Sequence, residues 1–294
     1  MLKKTFFSAL LCLGAASASA AAQQGATGTL IVAHGGDSLW NSHVLAAAKA
    51  VRTGGPVAVS FLMGPAARQT RFQDAVAKLE AAGAREIRVV PMLVSSHSGH
   101  YEQIRWLVGD SVELDHVMLH HLHMAGIDRP RASVPLRLTP ALDDSPQVAR
   151  VIADRALALA PNPRERAVLI VGHGPNSAEN YAMWMRNLRP VADSVKALGG
   201  FRDVRVELVR DDAPAEVRAE GVRQTRELIE LQRMVTGQDV LVVPVLISKG
   251  AISRSKLPAD LAGMPMIYSG EPLLPHPAMV RWIESRAGEP LRGN

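Results

Sequence analysis

Histidine carries most of the chemistry this sequence can do. His34 follows a short apolar run, residues 28–33 (GTLIVA), and opens into Gly35-Gly36, where a chain or ligand can approach closely. His97 and His100 lie in Ser95-Ser96-His97-Ser98-Gly99-His100, directly after another apolar run. Neutral imidazole is a good ligand for borderline divalent metals, and it titrates near neutral pH. One histidine after a strand is ordinarily a hydrogen-bonded structural residue. His34 together with the His97/His100 pair reads instead as a divalent-metal site. His173 also follows an apolar run, residues 167–172 (AVLIVG), but the loop that would hold its partner reads Ser248-Lys249-Gly250-Ala251. A further cluster, His116, His120, His121 and His123 in DHVMLHHLHM, is either an accessory metal site or a mixed buried strand with surface histidines. His121 and His123 would point the same way on a strand, while His116 and His120 would share a helical face. His43 and His276 read as structural or capping residues. Asp143-Asp144 reads as the cap of a helix starting at Ser145-Pro146. The sequence shows no Gly-x-Ser-x-Gly elbow and no phosphate loop, which disfavours a hydrolase or phosphotransfer enzyme.

The elements that must position these residues occur twice. Apolar strands at 28–33 and 167–172 each run into His-Gly. Helical patterns follow at 38–51 and 177–198, then strands at 57–62 and 204–209 and helices at about 67–82 and 215–235. The third strands, residues 87–94 (IRVVPMLV) and 240–247 (VLVVPVLI), share VVP, which matches Pro91 with Pro244. Each half closes on a proline-rich turn into a helix, at Ser145-Pro146 and His276-Pro277, where proline suits the first helical turn. Continuous apolar strands alternating with amphipathic helices indicate an α/β fold: two similar lobes from internal duplication, each a parallel sheet flanked by helices. His34 to Pro91 is 57 positions and His173 to Pro244 is 71, whereas Pro91 to Pro146 is 55 and Pro244 to Pro277 is 33. The first lobe therefore carries extra chain after its third strand, and the second before it. We place the lobes at residues 26–160 and 165–294, joined through PNPRER around Pro163. In open parallel sheets ligands bind beyond the carboxyl ends of the strands, so His34 and the His97/His100 loop are expected at one rim.

Residues 1–20 read as a secretory signal peptide, with Lys3 and Lys4, an apolar run at 6–16, and Ala18-Ser19-Ala20 at the cleavage site. The run is too short to span the membrane, so no stable insertion is expected after cleavage, and the protein is expected to be exported to the periplasm. Cleavage removes Cys12, the single cysteine, and with it any disulfide or thiolate ligand. Loss of Lys3 and Lys4 lowers the formal charge from +5 to +3. The arginines are scattered without interleaved aromatics, so no nucleic-acid partner is expected. Hydrophobic residues make up 47 % and aromatics 4 %, so the core must be built mainly from Val, Leu, Ile, Ala and Met.

The strand ending in His-Gly, the histidine-bearing loop after a VVP strand, residues 79–90 (LEAAGAREIRVV) and the closing proline turn occur in a telling order. In that order the sequence resembles the CbiX-type sirohydrochlorin chelatases, the class II chelatases, over nearly all of the mature chain and in two copies. The resemblance implies a lyase-type metal chelatase. A tetrapyrrole would bind between the lobes, and paired histidines would hold the incoming cobalt, nickel or iron, with no organic cofactor. By position His34 takes the first family histidine, and the second falls on His97 or His100. These residues would act as metal ligands and proton acceptors. Arg68, Arg71 and Arg105 suit the substrate's peripheral carboxylates. Lys249 would pair with another, so that the second lobe shapes the cleft without supplying a metal ligand. The sequence departs from the family after the second strand, where Phe61-Leu62-Met63-Gly64 lacks the expected carboxylate; Asp211 and Asp212 stand near the matching place in the second lobe. Tetrapyrrole synthesis is normally cytoplasmic. Export and the lost carboxylate therefore support an alternative, an exported non-catalytic metal- or tetrapyrrole-binding protein.

Overall fold

The computed structural model describes residues 26–288. The segment read as a signal peptide lies outside the described residues. The first half runs β1 (Thr27–Ala33), α1 (Ser38–Ala50), β2 (Val57–Phe61), α2 (Phe72–Ala81), β3 (Glu86–Met92), α3 (Gly99–Val108), α4 (His116–Ala125), β4 (Leu136–Leu138) and α5 (Pro146–Leu157). The second runs β5 (Ala167–Gly172), α6 (Ala178–Gly199), β6 (Asp203–Leu208), α7 (Ala215–Thr236), β7 (Val240–Val245), α8 (Leu257–Asp260), β8 (Met266–Tyr268) and α9 (Pro277–Gly288). Each half forms a four-stranded parallel sheet, ordered β2-β1-β3-β4 and β6-β5-β7-β8.

The duplication extends to the register. Val32 pairs with Pro91 and Val171 with Pro244, so each shared proline lies beside the residue two before the strand-end histidine. The central strands are buried because helices cover both faces, which is why their sequences are continuously apolar rather than alternating.

Several expectations are corrected by the local structure. Strand β3 stops at Met92, and residues 93–96 already belong to the rim. The helix expected over 67–82 is a 3-10 turn, Pro65–Gln69, followed by α2. The histidine-rich DHVMLHHLHM segment is helical, not a strand: Asp115 caps α4 through the Met118 amide, and left-handed Gly126 ends it. Asp143 does not cap α5. It sits at φ 44° and reaches back to the amide and hydroxyl of Ser96, at 2.8 and 2.6 Å. His276 is a capping residue, its Nδ1 accepting from the Ala278 amide at 3.1 Å.

The closing helices are exchanged. Helix α5 packs on α6 and β7 of the second sheet, and α9 packs on α1, β1 and β3 of the first. One buried cluster accordingly joins β1 and β3 to α5, α6, β7 and α9. The rim loops are gripped in the same reciprocal way. Trp184 Nε1 on α6 donates to the His97 carbonyl at 2.7 Å. Ser248, in the loop after β7, donates to the Trp40 carbonyl at 3.0 Å, and His43 Nδ1 on α1 lies 2.9 Å from its hydroxyl. Arg254 pairs with Asp37 across the lobes at 2.6 Å.

Candidate metal centre

Both lobes build the strand-end histidine on the same scaffold. In the first, the Leu62 amide donates to Ala33 and the Met63 amide to the His34 carbonyl, continuing the pairing of β1 with β2 past the end of the strands. Gly35 follows at φ 92°, and a Cβ there would lie 2.3 Å from the Met63 carbonyl oxygen. No other residue fits, so the His-Gly pair is a backbone requirement as well as a chemical one. In the second, Val209 donates to Gly172 and Asp211 to the His173 carbonyl, with Arg210 at φ 54° as an extra residue between them. Asp211 therefore takes the place of Met63. That is how the second lobe gains the carboxylates the first lacks.

His34 and His100 meet edge to face, with ring centroids 4.5 Å apart. Their hydrogen bonds fix their tautomers. His34 Nδ1 is 2.7 Å from the Gly35 carbonyl, which can only accept, so Nδ1 carries the proton. His100 Nδ1 lies 2.8 Å from Gln103 Oε1, while Gln103 Nε2 donates to the Met118 carbonyl at 2.7 Å. That second bond sets the amide orientation, so Oε1 faces His100 as an acceptor. In both rings Nε2 keeps its lone pair. Burial lowers the pKa of His34, and burial together with the His34 charge lowers that of His100 to about 4. Both rings are therefore neutral at neutral pH, each with one nitrogen free, the state a metal ligand requires.

His173 is held in the opposite state. Its Nδ1 is 2.7 Å from the Gly174 carbonyl and its Nε2 is 2.9 Å from Asp212 Oδ2. Both partners accept, so both ring nitrogens carry protons. Burial opposes that charge, but the bonds to Asp212 and Gly174 outweigh it and raise the pKa. The same bond from His173 holds Asp212 below the usual carboxylate range. Asp211 is buried, bonded to Arg218 at 3.1 Å and Lys256 at 2.5 Å. Ligand atoms of His173, Asp211 and Asp212 lie within 4.8 Å of one another. A cation there would have to displace a proton and two basic side chains, whereas the His34–His100 pair needs neither change. The lobes face each other closely enough for the charges of His173 and Asp212 to act on His34.

The other residues singled out in the sequence are placed as follows. His97 enters through its backbone, its amide donating to Ser95 Oγ at 3.0 Å and its carbonyl held by Trp184. Arg105 is engaged by Glu102 and Asp110, both at 3.1 Å. Lys249 pairs with Glu271 at 2.5 Å, Arg71 with Asp74 at 2.7 Å, and Arg68 donates to the Met124 carbonyl. Sequence reasoning missed Gln103 and the His173–Asp212 pair, and it gave Asp143 a capping role in place of its bonds to Ser96. Gln103 had a usable signal, since it lies three residues after His100 on one helix face. His121, on the α4 side of the site, has a buried Nδ1 that finds no hydrogen-bond partner among the described residues, and its charge acts on both His34 and His100.

Residues 28–159 match the CbiX family model. No curated protein matches the sequence. Among solved structures, the chain is similar to SirB from Bacillus subtilis with Fe3+, at TM-score 0.59 and 15 % identity over 90 % of this chain and 96 % of that one. It is similar to the sirohydrochlorin chelatase SirB from Bacillus subtilis subspecies spizizenii in complex with cobalt, at TM-score 0.56 and 16 % identity over 89 % and 94 %. It is also similar to DR2241 from Deinococcus radiodurans, a multi-domain protein with structural similarity to chelatases and two additional novel domains, at TM-score 0.60 and 18 % identity over 92 % of this chain and 56 % of that one. At these identities the likeness is one of fold. The CbiX match thus covers the first lobe, and the two lobes together have the fold of these solved structures.

Proposed function

We propose that this protein is a metal chelatase that inserts a divalent cobalt, nickel or iron ion into a sirohydrochlorin-like tetrapyrrole held between the lobes, working in the periplasm after export. The observation that carries this reading is the His34–His100 pair: two buried, neutral imidazoles in contact, each with its Nδ1 proton engaged and its Nε2 free. Insertion exchanges the ion for two pyrrole protons. His34 and His100 take the ion as substrate, replace part of its water shell and present it to the macrocycle. Their low basicity keeps them from being blocked by protons, and it also makes them poor final acceptors. Asp212 lies across the cleft with its side chain 67 % exposed, and it supplies the carboxylate missing beside Met63. In our reading the two displaced pyrrole protons pass to solvent water as the ion enters, while the Asp212 carboxylate, held ionised by His173, favours the incoming cation. Lys249 binds a peripheral carboxylate of the macrocycle by exchanging its Glu271 partner, and Arg105 does the same at the α3 end. His97 positions the loop, and His100 is the second metal ligand.

The direct test is anaerobic absorbance of the protein mixed with sirohydrochlorin and Co2+. Conversion of the macrocycle spectrum above the uncatalysed rate supports the proposal. Tight metal binding without conversion overturns it in favour of an exported binding protein, the reading that the missing first-lobe carboxylate favours. Lys249→Ala is expected to raise KM with little change in kcat, the signature of lost uniform binding.

A further inference from the structure

Helix α4 has no counterpart in the second lobe, where α8 and the turn before it fill the same stretch. Its histidines divide between two faces. His121 looks toward the His34–His100 pair, whereas His116, His120 and His123 are all exposed. At 3.6 residues per turn the three fall within an arc of about 60°. His116 and His120 are spaced i,i+4, and His120 and His123 i,i+3, which brings their Cβ atoms to about 5–6 Å. Among the described residues, none of these three rings makes a hydrogen bond or ion pair, so no protein partner competes for their lone pairs.

The helix beneath them is rigid. Asp115 caps its start and Gly126 its end. Gln103 and Arg68 bond its Met118 and Met124 carbonyls, and Leu122 and Ala125 are buried. A Cβ on Gly99 would lie 2.8 Å from Met118 Sδ, so α3 and α4 are in close contact. The Cβ spacing on the outer face is thereby set by the helix, and the exposed rings are left to turn onto an ion.

We propose that the exposed face of α4 is a second site for a divalent transition metal, in which His120 acts with His116, His123 or both, and water completes the shell. Imidazole donors without carboxylate or thiolate select nickel, copper, zinc or iron over magnesium and calcium. The site lies on the outer side of the helix whose inner side borders the His34–His100 pair, about one helix diameter away, on the order of 10 Å. It does not depend on chelation.

The test counts Ni2+ bound to the untagged full chain in equilibrium dialysis. Wild-type protein is expected to bind two equivalents. The H116A/H120A/H123A variant should bind one, and it should fold, since Ala favours an exposed helix. His120→Ala alone should weaken one equivalent about tenfold or more, as it belongs to both pairs. A triple variant that still binds as many equivalents as wild type overturns the proposal. If that variant loses an equivalent while H34A/H100A loses none, the α4 site stands and the metal role given to His34 and His100 falls.

Discussion

At the scale of single residues, the site depends on where protons sit. His34 and its repeat counterpart His173 share a strand end, a following glycine and the same 2.7 Å contact from Nδ1 to a glycine carbonyl, yet the Asp212 carboxylate at Nε2 makes His173 a cation while His34 stays neutral with its Nε2 open. Gln103 is a positioning residue in this scheme. Gln103→Leu should lower metal affinity at the His34–His100 pair about tenfold or more, measured calorimetrically, because His100 loses the acceptor that fixes its tautomer. The paired Met118 carbonyl would also be left unsatisfied, at about 1–3 kcal/mol. The buried neutral His100 makes stability fall with acid. Its folded pKa of about 4 lies below the ordinary 6.5, so between those values the unfolded chain binds the extra proton. Stability should therefore drop as pH is lowered from 6.5 towards 4, by at most about 3–4 kcal/mol from this group. His100→Gln should flatten that slope in urea melts, and an unchanged slope would contradict the burial argument. His173 acts in the opposite sense, its raised pKa adding stability that is lost as pH rises through it, whereas the lowered pKa of Asp212 adds stability that, like that of His100, is lost on acidification. The strand-end histidines were legible in the sequence because apolar run, His and Gly are contiguous. Their charge states were not, because burial sets that of His34 and Asp212 that of His173, and both arise only through folding.

At the scale of elements, the sequence reads well wherever local pattern and burial agree. The central strands β1, β3, β5 and β7 carry apolar runs because both faces of each sheet are covered, and VVP marks matching positions in β3 and β7. Gly35 shows why His-Gly recurs: Gly35→Ala combines a left-handed φ with a 2.3 Å clash against the Met63 carbonyl. It should cost about 2 kcal/mol or more and displace His34, seen together as a lowered Tm and weaker metal binding. The segment of α4 was ambiguous because histidines at 120, 121 and 123 satisfy a strand period as easily as a helical one, and its caps at Asp115 and Gly126 decide it. Asp143 was misread for a different reason. An aspartate just before Ser-Pro fits a helix cap locally, but its strained backbone serves a bond to Ser96, 47 positions away. Periodicity carries no information about such long-range bonds.

At the scale of the whole molecule, the exchange of α5 and α9 makes the lobes depend on each other. The chain is not two beads on a linker: α5 buries Val151 and Ile152 in a core that extends through α6, and α9 buries Trp282 in one that includes β1 and β3. Residues 26–162 expressed alone should therefore fail to show a cooperative melt by circular dichroism, while the two halves produced together should regain one. The repeat itself was legible from paired motifs. The exchange was not, since an amphipathic helix does not specify which sheet it covers. The exchange also fixes how the lobes meet, where the charge of His173 acts on His34 and His100 and that of Asp212 on His34. The most direct measurement is the rate of Co2+ insertion into sirohydrochlorin by three single variants under anaerobic conditions. His34→Ala and His100→Ala should each lose at least about a hundredfold in rate, on the order of 2.7 kcal/mol of barrier, while His173→Ala keeps most of it. A His173→Ala loss as large as that of His34→Ala would contradict the assignment of the metal to the first lobe.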